Sequence, residues 1–380
     1  MGAGRVTAAL VVALLAVALL QVWTPRDGGR ASRGGRAGDP SVRIEVSISV
    51  YVDGDLKGVV GMRSFLKPFP VLFALGLFPT QNFTVGRASC GVVNPSTGAL
   101  AGERYRAFAY GGAPANESVW GGGLDPFVVA YGEAGAPVAV LPLKPVPVVR
   151  SNATGVALVV GGSKVLAAAA RVVKVALVRP TSGLAVRIAE DELPSPVTVG
   201  AGGNLTVVYT FFFAAEQLFV ENFAKVFYAW LFNSPSGRVG LTTIRKANIT
   251  LDPGIASDGA AGNVPVDTFI VTAYLDERAS FNRTACTFAS LANLTPEWAA
   301  LASLPESSRA EPKVEVYGGA IVIYYTFPSI PCASKEIALI SRLKDGSEVM
   351  LMYAVPPYTL CETVPTTIAI WIEFPYEDRV

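Results

Sequence analysis

One strand pattern is written three times in this chain, and its even spacing constrains the fold more than any other feature. RIEVSISVY begins at Arg43, LTVVYTFFF at Leu205 and TIAIWIEF at Thr367, so the second step equals the first. In the first copy Ile44, Val46, Ile48 and Val50 alternate with Arg43, Glu45, Ser47 and Ser49. That period of two predicts a strand with one face in a core and one in water. The third copy sets Ile368, Ile370, Ile372 and Phe374 against Ala369, Trp371 and Glu373. The middle copy is apolar at Leu205, Val207, Tyr209 and Phe211, while Val208 and Phe212 keep the other face partly so. A strand buried on both sides belongs at a junction.

Other echoes keep the same order in the two halves. FLKPFPVLFALGLF (65–78) is answered by FVENFAKVFYAWLF (219–232), and DPFVVAYGE (125–133) by DTFIVTAYLDE (267–277). VALVRP (175–180) is answered by IALISR (337–342). A tandem duplication is the natural reading. The chain is expected to be mainly β, with two tandem β-sandwich-like units at 42–204 and 205–380. In the Phe-rich pair, aromatics recur every fourth residue, which is helical spacing. Pro68 and Pro70 sit where a helix start tolerates them, and the stretch is too short to span a bilayer. Each unit is therefore expected to hold one short buried helix. VALVVGGSKVL (156–166) reads as two strands around a Gly161-Gly162 turn, and its GGSK lacks the order of a phosphate-binding loop.

The N-terminal stretch, 1–23, carries an address. Val6–Trp23 is apolar and free of charge throughout. Its length suits a signal peptide or, preferably, an uncleaved membrane anchor, since the weak Ala16-x-Ala18 site lies inside the apolar run. The segment 24–41 is Gly- and Arg-rich and reads as a flexible linker. Arg26, Arg30, Arg33 and Arg36 follow the apolar run and Arg5 alone precedes it, which by itself places the bulk of the chain in the cytosol. Two stronger signals point outward.

Seven of the 11 asparagines stand in N-x-S/T: Asn82, Asn116, Asn152, Asn204, Asn248, Asn282 and Asn293. With 47 Ser and Thr in 380 residues, chance supplies about one or two such sequons. The excess fits a glycosylated surface. The four cysteines, Cys90, Cys286, Cys332 and Cys361, have no C-x-x-C spacing, so in an exported chain they read as up to two disulfides of open connectivity. An extracellular placement at the membrane follows. Three Gln, four Met and no His give a thermophile-like economy, which a charged content of 16% does not reinforce.

The absence of His excludes Ser-His, Cys-His and His-metal chemistry outright. Carboxylate pairs for glycoside hydrolysis exist at Asp53 with Asp55, at Glu190-Asp191-Glu192, and at Asp276 with Glu277, all in turn-like segments. Neighbours on a strand face opposite ways, so none is expected to be catalytic. Asp252, Asp258 and Asp267 in a Gly-rich loop are weak calcium candidates of no EF-hand spacing. Trp120, in a Gly-rich loop, is a possible ligand contact. A net charge of +1 gives no field for nucleic acid, and no cofactor is expected. The expected role is a surface structural or adhesive protein, a component of a surface layer or filament, with the membrane, further copies or other surface proteins as partners. A glycan- or solute-binding module and a carboxylate hydrolase are the alternatives.

Overall fold

The computed structural model describes residues 41–61, 65–78, 88–106, 125–152, 155–181, 184–214, 218–219, 221–232, 265–273, 280–282, 287–289, 312–327, 336–343, 348–354 and 364–377. It is mainly β. The first sheet is built from β1 (Ser41–Val52), β2 (Asp55–Gly61), β7 (Lys144–Asn152), β8 (Gly155–Val165), β11 (Asn204–Ala214), β16 (Lys313–Tyr317), β17 (Ala320–Phe327) and β20 (Thr366–Glu373). Its order is β16-β17-β20-β1-β11-β8-β7, with β2 paired to β1 beside that path. The second sheet, β4-β3-β10-β9-β5-β6, uses β3 (Ala88–Val93), β4 (Leu100–Arg106), β5 (Phe127–Tyr131), β6 (Pro137–Pro142), β9 (Ala170–Thr181) and β10 (Leu184–Val199). A third, β12-β19-β18-β13, uses β12 (Leu218–Phe219), β13 (Pro265–Ala273), β18 (Glu336–Leu343) and β19 (Glu348–Ala354). A small hairpin joins β14 (Ser280–Asn282) to β15 (Thr287–Ala289).

Two helices lie in the interior, α1 (Pro68–Leu77) and α2 (Glu221–Phe232), on the two Phe-rich stretches. Pro68 opens α1, where its missing N–H costs nothing. Phe69, Val71, Leu72, Phe73, Ala74 and Leu77 are all buried, as a helix apolar on every side requires. The helices meet ring to ring: Phe73 lies 5.4 Å from Phe227 and 5.0 Å from Trp230. Phe211 of β11 reaches Phe227 at 5.0 Å, and Phe213 reaches Phe223 at 5.8 Å. Both helices and the facing sides of the two large sheets belong to one core.

The strand orders run in step with the sequence echoes: β7-β8-β11 beside β16-β17-β20, and β10-β9-β5 beside β19-β18-β13. The helices do not follow the expected plan of one plug beneath each unit's own strands. α1 lies against β10 but also against β13, β16 and β17, while α2 lies against β19 but also against β7 and β8. Each helix thus reaches under the edge hairpin of the other half. A short apolar helix can be buried only where two apolar layers close over it, and these two are closed over jointly.

One detail differs from the sequence expectation. Gly161 and Gly162 form no turn, because β8 runs unbroken from Gly155 to Val165. A Cβ on Gly162 would stand 2.8 Å from the Pro142 carbonyl oxygen and 3.0 Å from that of Leu141. The residue is small so that β6 can cross close to β8, a recognised use of glycine within strands. The middle copy is buried on both sides, as its pattern predicts, and its core face is not the one that the other two copies use. In β1 and β20 the core receives Ile44, Val46, Ile48 and Val50, and Ile368, Ile370, Ile372 and Phe374. By position in the repeat, the matching residues of β11 are Thr206, Val208, Thr210 and Phe212. β11 instead turns Val207, Tyr209, Phe211 and Phe213 to the core, opposite Val50, Ile48, Val46 and Ile44. With a side-chain period of two, a one-residue offset exchanges the faces. The other face is not left to water either: Val208 and Phe212 are buried, as are Ser49 and Tyr51 on β1.

Candidate functional site

The sheet's centre is a junction where all three copies of the repeated strand lie side by side, in the order β20-β1-β11. β1 and β11 are antiparallel and paired along almost their whole length, from Arg43 opposite Ala214 to Val52 opposite Leu205. β1 and β20 are parallel and paired only at Ser41–Trp371, Val42–Ile372 and Arg43–Glu373. On that side β1 is otherwise taken by β2, from Ser47 onward. β20 pairs along its full length with β17, from Ala320 opposite Glu373 to Phe327 opposite Thr366. Beyond β20 the chain is clasped by the approach to α1: the Phe65 amide donates to the Pro375 carbonyl at 2.8 Å, and the Glu377 amide to the Phe65 carbonyl at 3.0 Å. Phe374 sets its ring edge-on to Phe69 at 5.0 Å and to Phe65 at 5.9 Å.

Charged groups gather on β9 and β10. Glu190 accepts a hydrogen bond from Lys174 Nζ at 3.2 Å and another from Arg187, and Lys174 sits 5.2 Å over the Tyr131 ring. Asp191, the next residue, is also buried and projects to the opposite face, toward Tyr209. Burial, with the charges of Asp191 and Glu190, holds the Tyr209 phenol well above its usual range. Its hydroxyl has no hydrogen-bond partner among the described residues.

Arg179 of β9 is fully buried, and its guanidinium lies 4.5 Å over the Trp230 ring. Its Nε donates to the Trp230 carbonyl at 2.9 Å, in the last turn of α2, where the helix dipole welcomes a cation. Trp230 Nε1 donates in turn to the Leu72 carbonyl of α1 at 3.2 Å. The chain Arg179–Trp230–Leu72 ties β9 to both helices. Burial lowers Arg179 to about 9, so it remains charged at neutral pH.

The carboxylate candidates do not converge among the described residues. Asp53, at φ +52° in the β1–β2 turn, accepts the Asn204 amide at 2.8 Å, and its own amide donates to the Asn204 carbonyl at 3.0 Å, so it joins two strand ends. Asp55 is exposed and pairs with Lys57. Glu192 is exposed, and Glu190 and Asp191 are divided between two faces. Asp267 lies within β13 opposite Arg342 rather than in a loop. Asp252, Asp258, Asp276, Glu277 and Trp120 lie outside the described residues, as do Cys286, Cys332 and Cys361. Cys90 is in β3 opposite Arg104. Three sequon asparagines fall at strand ends: Asn152 closes β7, Asn204 opens β11 and Asn282 closes β14. Asn82, Asn116, Asn248 and Asn293 lie outside the described residues.

Sequence reasoning passed over Arg179 and Tyr209. The available signal for Arg179 was a charge inside the apolar run VALVRP. Among the described residues no group of three His, Cys, Asp or Glu is placed to hold a metal ion, and no helix is long and apolar enough to cross a membrane. The segment Val6–Trp23 lies outside them. No protein-family model, curated protein or solved structure matches the chain.

Proposed function

We propose that this chain is an exported, N-glycosylated structural or adhesive protein of the cell surface, held at the outer side of the membrane by its apolar N-terminal segment. In this reading it arose by tandem duplication into β-sandwich-like units at about 42–204 and 205–380. The observation that carries the reading is the sequon excess, seven among 11 asparagines. The three sequons that fall within described strands support it by position, since a strand end leaves the glycan free of the sheet. The duplication draws support from the matching strand orders of the two halves and from the paired Phe-rich helices.

A packed interior of this kind suits a protein whose work is mechanical. Arg179 joins both helices to the second sheet, and elsewhere on β9 and β10 Glu190 holds Lys174 and Arg187.

Intact-mass analysis of the native protein, before and after enzymatic deglycosylation, tests the reading. The expected result is a mass above that of the chain, removed by deglycosylation, with hexosamine on peptides containing Asn152 and Asn204. A native chain of unmodified mass with four free thiols overturns it.

A further inference from the structure

We propose that β20 is an exchangeable strand, the segment through which one copy of this chain completes the sheet of a second copy. This deepens the reading of the chain as a surface structural protein and rests on it for its biological setting.

Two strand triplets, β7-β8-β11 and β16-β17-β20, flank β1 in the first sheet. In the first, β11 lies against β8, and α2, the helix that follows β11, reaches beneath β7 and β8. In the second, α1 reaches beneath β16 and β17, but the long strand before α1, which is β1, does not pair with β17. β20 stands between them. β20 is antiparallel to β17 and parallel to β1. β1 therefore already runs in the direction needed to pair with β17. Two strands of one sequence pattern, RIEVSISVY and TIAIWIEF, thus suit one place in the sheet, and β20 holds it. Withdrawing β20 leaves β17 a neighbour of matching pattern and direction over 41–46, the part of β1 that β2 does not cover.

The bonds that hold β20 are of a kind a second copy supplies equally well. They include the β17 ladder, the short parallel seam at Ser41–Arg43, the Phe65 clasp on Pro375 and Glu377, and the Phe374 ring against Phe65 and Phe69. Exchange between copies keeps each of them, so its cost is the opening of the sheet and the loss of freedom on joining.

Simple addition to an open edge is the less suitable route. The edge strand β6 begins and ends with proline, and the edge strand β7 carries Pro145 and Pro147. The edge strand β16 carries Lys313 and Glu315. Proline removes a ladder donor and charge resists a second sheet, so these edges discourage pairing. An exchanged internal strand meets no such barrier, and the recognition is that of strand addition, backbone ladder with alternate side chains in the core.

Thr326 and Thr367 are exposed, directly paired across β17 and β20, and their hydroxyl oxygens are 2.8 Å apart. The full-length double variant Thr326→Cys, Thr367→Cys therefore reports which molecule's β20 lies beside a given β17. Chains grown on heavy and on light nitrogen are mixed under conditions that assemble the protein, oxidised, digested and mapped by mass spectrometry. The expected result is a disulfide-linked 326–367 peptide pair with one heavy and one light half, rising with concentration toward the statistical share of an equal mixture. Linked pairs of a single isotope at every concentration, or a chain that forms no assemblies, overturn the proposal. The pair Tyr324→Cys, Ala369→Cys, opposite one another on the same two strands, repeats the reading if the first variant fails to fold or to oxidise. The glycan mass of the native protein is read separately, so assemblies of glycosylated chains without hybrid links remove the exchange and leave the surface reading standing.

Discussion

The triplets β7-β8-β11 and β16-β17-β20 have the same internal order, yet they are joined to the rest of the sheet very differently. β11 is sewn to β1 along an antiparallel ladder, and Phe211 and Phe213 run from it into the aromatic cluster of α2. β20 meets β1 over only three parallel pairs, with Phe374 and the Phe65 clasp fastening the chain just beyond it. Similar strands therefore do not have similar stakes in the fold. Attachment is decided by the neighbour across the seam, and only one of the two seams is long.

The sharpest way to break this comparison is to remove the same ring from each triplet. Phe211→Ala leaves a void in a fully enclosed cluster and is expected to lower unfolding free energy by about 3–5 kcal/mol in a denaturant titration. Phe374→Ala, at the shorter seam, is expected to cost about 2–3 kcal/mol. Equal losses would make the two attachments equivalent. In the better-attached triplet, Gly162→Ala would press a methyl into two carbonyl oxygens of β6 and is expected to cost about 1–3 kcal/mol in thermal melts. Native-state hydrogen exchange compares the seams directly: amides of β20 should open at least about tenfold more readily than those of β11.

A smaller effect is expected at Tyr209, which faces the buried Asp191 from β11. Tyr209→Phe deletes an enclosed hydroxyl without a partner among the described residues and should stabilise by about 1 kcal/mol. The pH dependence has a definite sign. A phenol whose folded value is raised contributes stability that is complete below its unfolded value near 10 and is lost as pH climbs above it. The variant should therefore lose stability less steeply than the parent above pH 10. It should not become flat, because Tyr51, Tyr131 and Tyr228 are raised by burial as well. The smallest effect belongs to Arg43–Glu373, an ion pair across the β1–β20 seam at 3.9 Å with both side chains about two-fifths exposed. Glu373→Gln should change stability by no more than about 0.5 kcal/mol.

Much of this architecture was written locally. Aromatics at every fourth position marked both helices, and alternation marked β1 and β20, because these features depend on the residue's own segment. The order β20-β1-β11 was not legible, since it depends on which strands find one another from opposite ends of the chain. The core face of β11 was legible, because Leu205, Val207, Tyr209 and Phe211 outweigh a face that Thr206 and Thr210 interrupt. Gly161-Gly162 looked like a turn because a glycine pair reads alike whether it bends the chain or makes room for another strand. Of the candidate site, the opposing directions of Glu190 and Asp191 followed from strand geometry, whereas the burial of Arg179 against Trp230 joins residues from different elements and leaves only a stray charge in the sequence.

The crossing of the helices beneath each other's hairpins also sets a schedule. α1 is entirely apolar and ends at Leu77, yet part of its cover, β16, begins only at Lys313. At ordinary synthesis rates that gap lasts about 10–50 s. For that interval the emerging chain carries a Phe-rich helix whose cover is incomplete. If the chain is exported as proposed, the machinery that carries it must shield FLKPFPVLFALGLF until β16 and β17 have arrived.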